Sequence, residues 1–430
     1  MNQKKSLFLT YFIIVVAACG YFVDIYDLIL FNVVKKDSLE VILKGATPEV
    51  IKSTGIFLFN MQMTGMLIGG LLWGILGDKK GRLSVLFGSI LLYSTANVIN
   101  AFVTSVPLYA LVRVIAGIGL AGELGAGVTL VSETMSKEKR GYGTMIIVSF
   151  GALGAVAAAL VGAKGEMMGN WLGGVLNMTI ASWQVAYLVG GVLGLFLLML
   201  RIGTIESGMF RNIEKSDVSR GDIRMLFNSS ERFLKYLKCI LVGLPIWFIV
   251  GLIVANSEQI WGKELDVQGK VINGSSLMYS YIGLCVGDIV SGLLSQLLRS
   301  RRKVVMIYLT ACIALAVYFF FFAKGISLTG FYFLIFLLGA ATGFWALFVT
   351  IAAEQFGTNI RSTVANTAPN FVRGSVPLIT LFFQFLIGQS VTTLHSAFVV
   401  GMICMGLSFW AISQMSETFG KELDYVEQYP

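Results

Sequence analysis

Apolar runs of membrane-spanning length recur along the whole chain, at about 8–34, 53–77, 83–102, 108–132, 144–163, 183–200, 236–256, 275–298, 304–323, 328–352, 363–388 and 396–415. A helix rises about 1.5 Å per residue, so roughly 20 apolar residues cross a hydrocarbon core of about 30 Å. The pattern predicts twelve transmembrane helices and an all-α membrane protein. The longest polar stretch, 201–235, contains RNIEKSDVSRGDIR and divides six spans from six. It predicts a solvated linker between an N-terminal six-helix bundle over 1–200 and a C-terminal one over 236–430, with a short tail after the last span. The opening MNQKK imitates a signal peptide, but the apolar run continues past Asp24 and Asp27 without a small-residue cleavage site, so it is read as a retained first helix.

Composition sharpens this picture. Of 430 residues, 56% are hydrophobic and 13% charged, against the roughly 25% charged share of soluble domains, which excludes a soluble enzyme. The net charge of +8 reads as orientation charge rather than as a nucleic-acid surface. With both termini inside, 22 Lys and Arg flank the inner ends of the spans and 8 the outer ends, which by the positive-inside rule puts both termini in the cytoplasm. The outer loop with Lys35, Lys36, Lys44 and Lys52 runs against the rule, and Asp37, Glu40 and Glu49 dilute it. The five cysteines lie inside apolar runs without metal spacing, and His395, the one histidine, falls in a predicted loop. No metal or cofactor site is expected. Walker, HExxH and GxSxG patterns are absent from the sequence, which argues against an ATP-driven pump or an intramembrane protease.

The two halves repeat. Thr129, Glu133 and Arg140 recur as Thr350, Glu354 and Arg361, and Gly122 as Gly343, all at one offset of 221 residues. Parallel repeats of this kind build secondary transporters.

Ionisable residues inside the spans are the candidate chemistry. Asp24 and Asp27 share a face of helix 1 and lie past the midplane; Arg113 and Glu123 lie on helix 4, Asp288 on helix 8 and Arg373 on helix 11. Four acids against two bases cannot neutralise one another, so the excess acids take protons, face water or meet a cation. Asp27, with Asp24, is expected to exchange a proton and Arg113, and Glu123 to belong to the same proton-coupling set; a permanent Asp–Arg pair joining helices 1 and 4 is the alternative. Arg373 lies about ten residues, roughly 15 Å, from the inner end of its span, close to the midplane. It offers a bidentate fork to a carboxylate, with Asn366 and Asn370 on the same face and Trp345 as a cavity wall. An ion pair of Arg373 with Asp288 is the competing expectation.

The loop GLLWGILGDKKGRL, with Gly74, Asp78, Gly81 and Arg82, resembles the signature loop of the major facilitator superfamily, and departs from it in Gly77 beside the acid. The resemblance implies a charge-linked latch between the halves at the cytoplasmic face, which Glu133, Arg140, Glu354 and Arg361 would complete. Within that superfamily Asp24-Ile-Tyr-Asp27, the register of Arg113, Gly117, Gly122 and Glu123, the Glu206-Ser-Gly-Met-Phe210 segment and the helix-10 ending Glu354 to Arg361 resemble the metabolite:proton symporters. Helix 1 and helix 4 also resemble the proton-coupled sugar porters. The resemblance adds Tyr26 to the substrate-binding candidates. It implies a proton symporter taking up a small organic solute, a carboxylate or zwitterion; the absence of targeting extensions fits a bacterial inner membrane, and a monomer is expected. A sugar or polyol symporter, a proton-antiport exporter and a non-transporting sensor are the alternatives.

Overall fold

A computed structural model describes residues 3–137, 139–176, 179–201 and 220–428. Among the described residues are twelve helices long and apolar enough to cross a membrane. They are α1 (Ile14–Ile42), α2 (Pro48–Lys80), α3 (Arg82–Asn100), α4 (Val106–Thr134), α5 (Arg140–Gly174), α6 (Ser182–Leu200), α7 (Ser230–Glu264), α8 (Asn273–Leu297), α9 (Arg301–Phe321), α10 (Leu328–Glu354), α11 (Arg361–Gly388) and α12 (Thr393–Gln414). Several outrun their apolar cores. α1 carries Lys35, Lys36, Asp37 and Glu40 on its last turns, because charged residues continue a helix that has left the hydrocarbon. α7 starts at Ser230, where the Ser229 side chain accepts the Arg232 N–H, so the end of the expected linker is helical. His395 sits in the first turn of α12, not in a loop, and Thr392 caps that turn. The Glu206 to Phe210 segment lies outside the described residues.

The helices form two sets of six, α1–α6 and α7–α12. The sets meet along two seams, α2 against α11 and α5 against α8, which a shift of six helices interconverts. Within each set the closest crossings use glycine. A Cβ on Gly117 of α4 would lie 2.2 Å from the Gln62 carbonyl of α2, and one on Gly339 of α10 would lie 2.0 Å from the Ser280 carbonyl of α8. Lipid supplies no hydrophobic drive between helices, so such backbone approaches carry the packing.

Four spans are irregular. α4 breaks at Ala121–Gly122 and α10 at Thr342–Phe344, the same register one repeat apart. α11 breaks at Ser375, and α7 passes through π turns at Phe248–Ile253 and Ser257–Trp261. Backbone groups freed at membrane depth need partners inside the protein, and the polar residues at these breaks supply several of them.

Candidate functional site

Both halves wall a small central cavity of about 20 Å³, enough for a water molecule. Tyr21 of α1 faces Trp247, Tyr281, Trp345 and Arg373 of the second half across it. The Tyr21 hydroxyl accepts hydrogen bonds from Trp345 Nε1 at 2.9 Å and from Arg373 Nη2 at 3.3 Å. Arg373 is 1% exposed. Its other contacts are weak: Nη1 donates to Asn370 Oδ1 at 3.4 Å, and the guanidinium lies 5.5 Å from the Trp345 ring and 5.9 Å from Trp247. Its Nε has no hydrogen-bond partner. A buried guanidinium thus meets aromatic faces, a phenol and an amide, but, among the described residues, no carboxylate within ion-pair distance.

The buried acids are arranged differently from expectation. Asp24 and Asp27 are 0% and 2% exposed, and none of their carboxylate oxygens makes a hydrogen bond. Arg113 does not pair with Asp27; the guanidinium bonds Gln62 Oε1 and lies 4.6 Å from the Phe31 ring. Asp27 points instead toward α6, where a Cβ on Gly190 would come within 2.4 Å of Asp27 Oδ1 and 3.2 Å of Asn97 Nδ2. Asp24 lies one helical turn after Tyr21, whose hydroxyl takes Arg373. Glu123 is held by Arg201, which bonds both carboxylate oxygens and also donates to the Leu86 carbonyl at 2.9 Å. Arg201 therefore closes α6 inside the bundle rather than opening a solvated linker.

Asp288 and Arg373 form no ion pair. Asp288 Oδ1 accepts the Ala346 N–H at 3.0 Å, satisfying a donor freed where α10 restarts at Trp345. Asn370 plays the matching role at the α4 break, its Nδ2 donating to the Ala121 carbonyl at 2.9 Å. Asn366 bonds the Ser362 carbonyl and packs against Gly125, and the Tyr26 hydroxyl donates to the Ala186 carbonyl at 2.9 Å. Tyr26, Asn366 and Asn370 are thus spent on helix packing here, and of the expected solute ligands Trp345 and Arg373 line the cavity.

At one end of the molecule the acidic and basic residues of the repeat cross over. Glu133 takes Arg82 of its own half at 2.8 Å and Arg361 of the other at 3.0 Å. Glu354 takes Arg301 of its own half at 2.8 Å and Arg140 of the other at 3.6 Å. Asp78 spans the seam between the halves, accepting the Ser362 and Thr363 N–H groups at 3.0 and 2.8 Å and the Thr363 hydroxyl at 2.8 Å. This is a carboxylate on the first turn of a helix, where both orphan donors and the dipole favour it. Gly74 lets the helices meet, since a Cβ there would lie 2.8 Å from Thr363 Cα, and Gly81 turns α2 into α3 with φ +95°.

Residues 8–376 match the Major Facilitator Superfamily. The chain belongs to that superfamily. It is a multi-pass membrane transporter, not an enzyme. It is similar to a putative niacin/nicotinamide transporter of Bacillus subtilis, with 28% identity over 336 residues and 76% of each chain covered. It is similar also to a 3-(3-hydroxy-phenyl)propionate transporter of Escherichia coli, with 26% identity over 322 residues, 73% of this chain and 72% of that one. The fold matches that of the E. coli proton:xylose symporter with a TM-score of 0.76 at 16% identity, over 97% of this chain and 98% of the other.

In this superfamily member the latch candidates Asp78, Arg82, Glu133, Arg140, Glu354 and Arg361 come together. Arg301 joins them from RSRRK. Tyr21, Trp247 and Arg201 escaped the sequence reading. Tyr21 and Trp247 sit in apolar runs where an aromatic side chain reads as packing. Arg201 follows the last apolar residue of its span, where a cation reads as an orientation charge. The signal that could have found it is stoichiometric, since Glu123 needed a buried base.

Proposed function

We propose that this transporter carries a small organic carboxylate or zwitterion together with protons, inward across a bacterial inner membrane, by alternating access between the halves 1–200 and 236–430 joined by 201–235. The observation that carries the reading is Arg373: a buried cation without a carboxylate partner, in a cavity shared by both halves. Burying an unpaired charge costs several kcal/mol, and a solute carboxylate relieves that cost where a neutral sugar does not. Trp247, Trp345, Tyr21 and Tyr281 offer faces to a flat apolar body beside the carboxylate. The names of the relatives, a niacin/nicotinamide transporter and a 3-(3-hydroxy-phenyl)propionate transporter, support an organic acid of this kind.

Coupling follows from electrostatics. Asp24 and the solute carboxylate compete for the one Arg373 charge, so a proton on Asp24 strengthens solute binding, and bound solute strengthens proton binding by the same factor. Asp27 and Arg113 extend this charge set through α1 and α4, whereas Glu123 is matched by Arg201. The latch face carries the excess of Lys and Arg, which supports a cytoplasmic assignment for it and for both termini.

The test is pH change inside proteoliposomes holding the purified protein as nicotinate, 3-(3-hydroxyphenyl)propionate, amino acids, betaines and sugars are added in turn. A carboxylate that drives protons inward, with the signal abolished by Asp24→Asn and Arg373→Lys, is expected. Flux with sugars alone would discard the carboxylate clamp, and solute-driven protons moving outward would make the protein an exporter.

A further inference from the structure

Beyond α12, residues 415–428 run across the latch face and bind it at several points. Glu417 caps α9, its Oε1 accepting the Arg301 N–H at 3.0 Å and its Oε2 the Ser300 hydroxyl. The Leu423 side chain is 1% exposed. Its carbonyl accepts Arg361 Nη2 at 2.6 Å and the Thr358 hydroxyl at 3.0 Å. The segment pairs with the α10–α11 connection: the Thr358 N–H donates to the Tyr425 carbonyl at 2.8 Å, and the Glu427 N–H to Asn359 Oδ1 at 2.9 Å. Glu427 then meets Arg232 at 3.3 Å and Lys235 at 3.6 Å at the start of α7. On the opposite flank Glu422 reaches Lys137 of the first half at 2.5 Å.

Two of these contacts bear on the relation between the halves. Arg361 is shared between Glu133 of the first half and the Leu423 carbonyl, so the tail fixes the guanidinium that crosses the seam. The Glu422 to Lys137 pair ties the tail of the second half directly to the first, between α4 and α5. Parting the halves at this face requires both contacts to stretch or break. We infer that residues 416–428 form a strap that holds the latch face shut and has to detach before the halves separate there. The strap acts whatever the solute is, so this inference stands or falls apart from the proposed transport reaction.

The test uses the full-length protein in nanodiscs with Ala365→Cys, a position buried at 0% exposure against Gly125 of the other half. Modification by N-ethylmaleimide is read at residue 365 by peptide mass spectrometry, with the buried Cys312 as internal control. Glu422→Lys is expected to raise the rate at 365 about fivefold, the upper effect of losing a solvent-exposed ion pair, and Glu427→Lys, at a side chain only 12% exposed between Arg232 and Lys235, by at least as much, while Cys312 stays unreactive. The exchanged pair Lys137→Glu with Glu422→Lys should bring the rate back toward the parent. Unchanged rates at 365 in both single variants, with unchanged melting temperatures, would overturn the inference. If Cys312 reacts in step with 365, the helices have loosened as a whole, and Lys137→Glu alone decides. That side chain is 43% exposed, and a parental rate there overturns the strap.

Discussion

Arg201 forks onto Glu123 directly beneath Gly20. Its Nη1 and Nη2 each bond one carboxylate oxygen, and a Cβ on Gly20 would fall within 1.9 Å of Glu123 Oε1 and 2.1 Å of Arg201 Nη2. One pair therefore joins three helices of the first half: α4 through Glu123, α6 through its terminal Arg201, and α1 through the glycine lying on both. With its charge matched here, Glu123 belongs to the scaffold of the site, while Asp24 and Asp27 carry the unmatched charge.

Removing one partner of a buried pair leaves the other charged and unpaired, which costs about 3–5 kcal/mol. Arg201→Leu should therefore lower the thermal midpoint of the detergent-solubilised protein sharply. Glu123→Leu combined with Arg201→Leu should recover most of the loss, as double-mutant cycles reveal for coupled residues. Equal losses in the single and double variants would mean that the pair contributes through packing and not through charge.

Asp288 reaches a freed donor of α10 instead of Arg373. Asp288→Asn keeps an acceptor for the Ala346 N–H, whereas Asp288→Ala orphans it. The alanine variant should lose about 1 kcal/mol more than the asparagine variant, the typical worth of a helix cap. Thermal unfolding of the two side by side checks the order; the reverse order would indicate that charge at 288, not the cap, matters.

The spans and the latch were legible because each leaves a periodic trace. Hydrophobicity marks where α1 to α12 cross, and the 221-residue offset marks Glu133 with Glu354 and Arg140 with Arg361. The crossing of those pairs, each Glu taking the Arg of the other half, is a consequence of the pseudo-twofold arrangement and is invisible in one dimension. Pairing by proximity of opposite charges failed for Asp27 with Arg113, because Gln62 and Phe31 occupy the guanidinium. It failed again for Asp288 with Arg373, because the break in α10 creates a backbone donor that no sequence pattern announces. The break carries no proline, only Thr342, Gly343 and Phe344. The cavity was half legible: Arg373 and Trp345 stood out by charge and by position after a glycine, while Tyr21 and Trp247 looked like ordinary apolar filling.

Asp78 satisfies two backbone donors at the start of α11 and the Thr363 hydroxyl from the other side of the seam. Asp78→Ala orphans all three, at about 1–3 kcal/mol for each buried group, whereas Thr363→Val removes a single bond. Maleimide modification at Ala365→Cys should rise strongly in the first variant and only slightly in the second. Equal rates in both would show that the latch draws its strength from Glu133 and Glu354 and not from this cap.

The tail is expected to be acid-sensitive through Glu417. Burial works to raise its pKa, but the hydrogen bonds from Ser300 and from the Phe419, Arg301 and Thr418 N–H groups outweigh that and hold it below the ordinary glutamate value. A group depressed in the docked state contributes stability above its undocked value, near 4.3, and loses it as pH falls through the lower docked value. Arg301 and Arg302 of α9 meet Glu417 through their backbone N–H groups, which do not titrate and do not alter the sign. Glu422, likewise lowered by Lys137, works in the same direction. A spin label at Asp424→Cys, an exposed position on the tail, should therefore be immobile at neutral pH and become mobile below about pH 4. Glu417→Gln loses the charge at every pH, so it should loosen the label already at neutral pH and flatten the acid transition. A label that mobilises at the same pH with Gln at 417 would assign the acid response to another carboxylate of the tail.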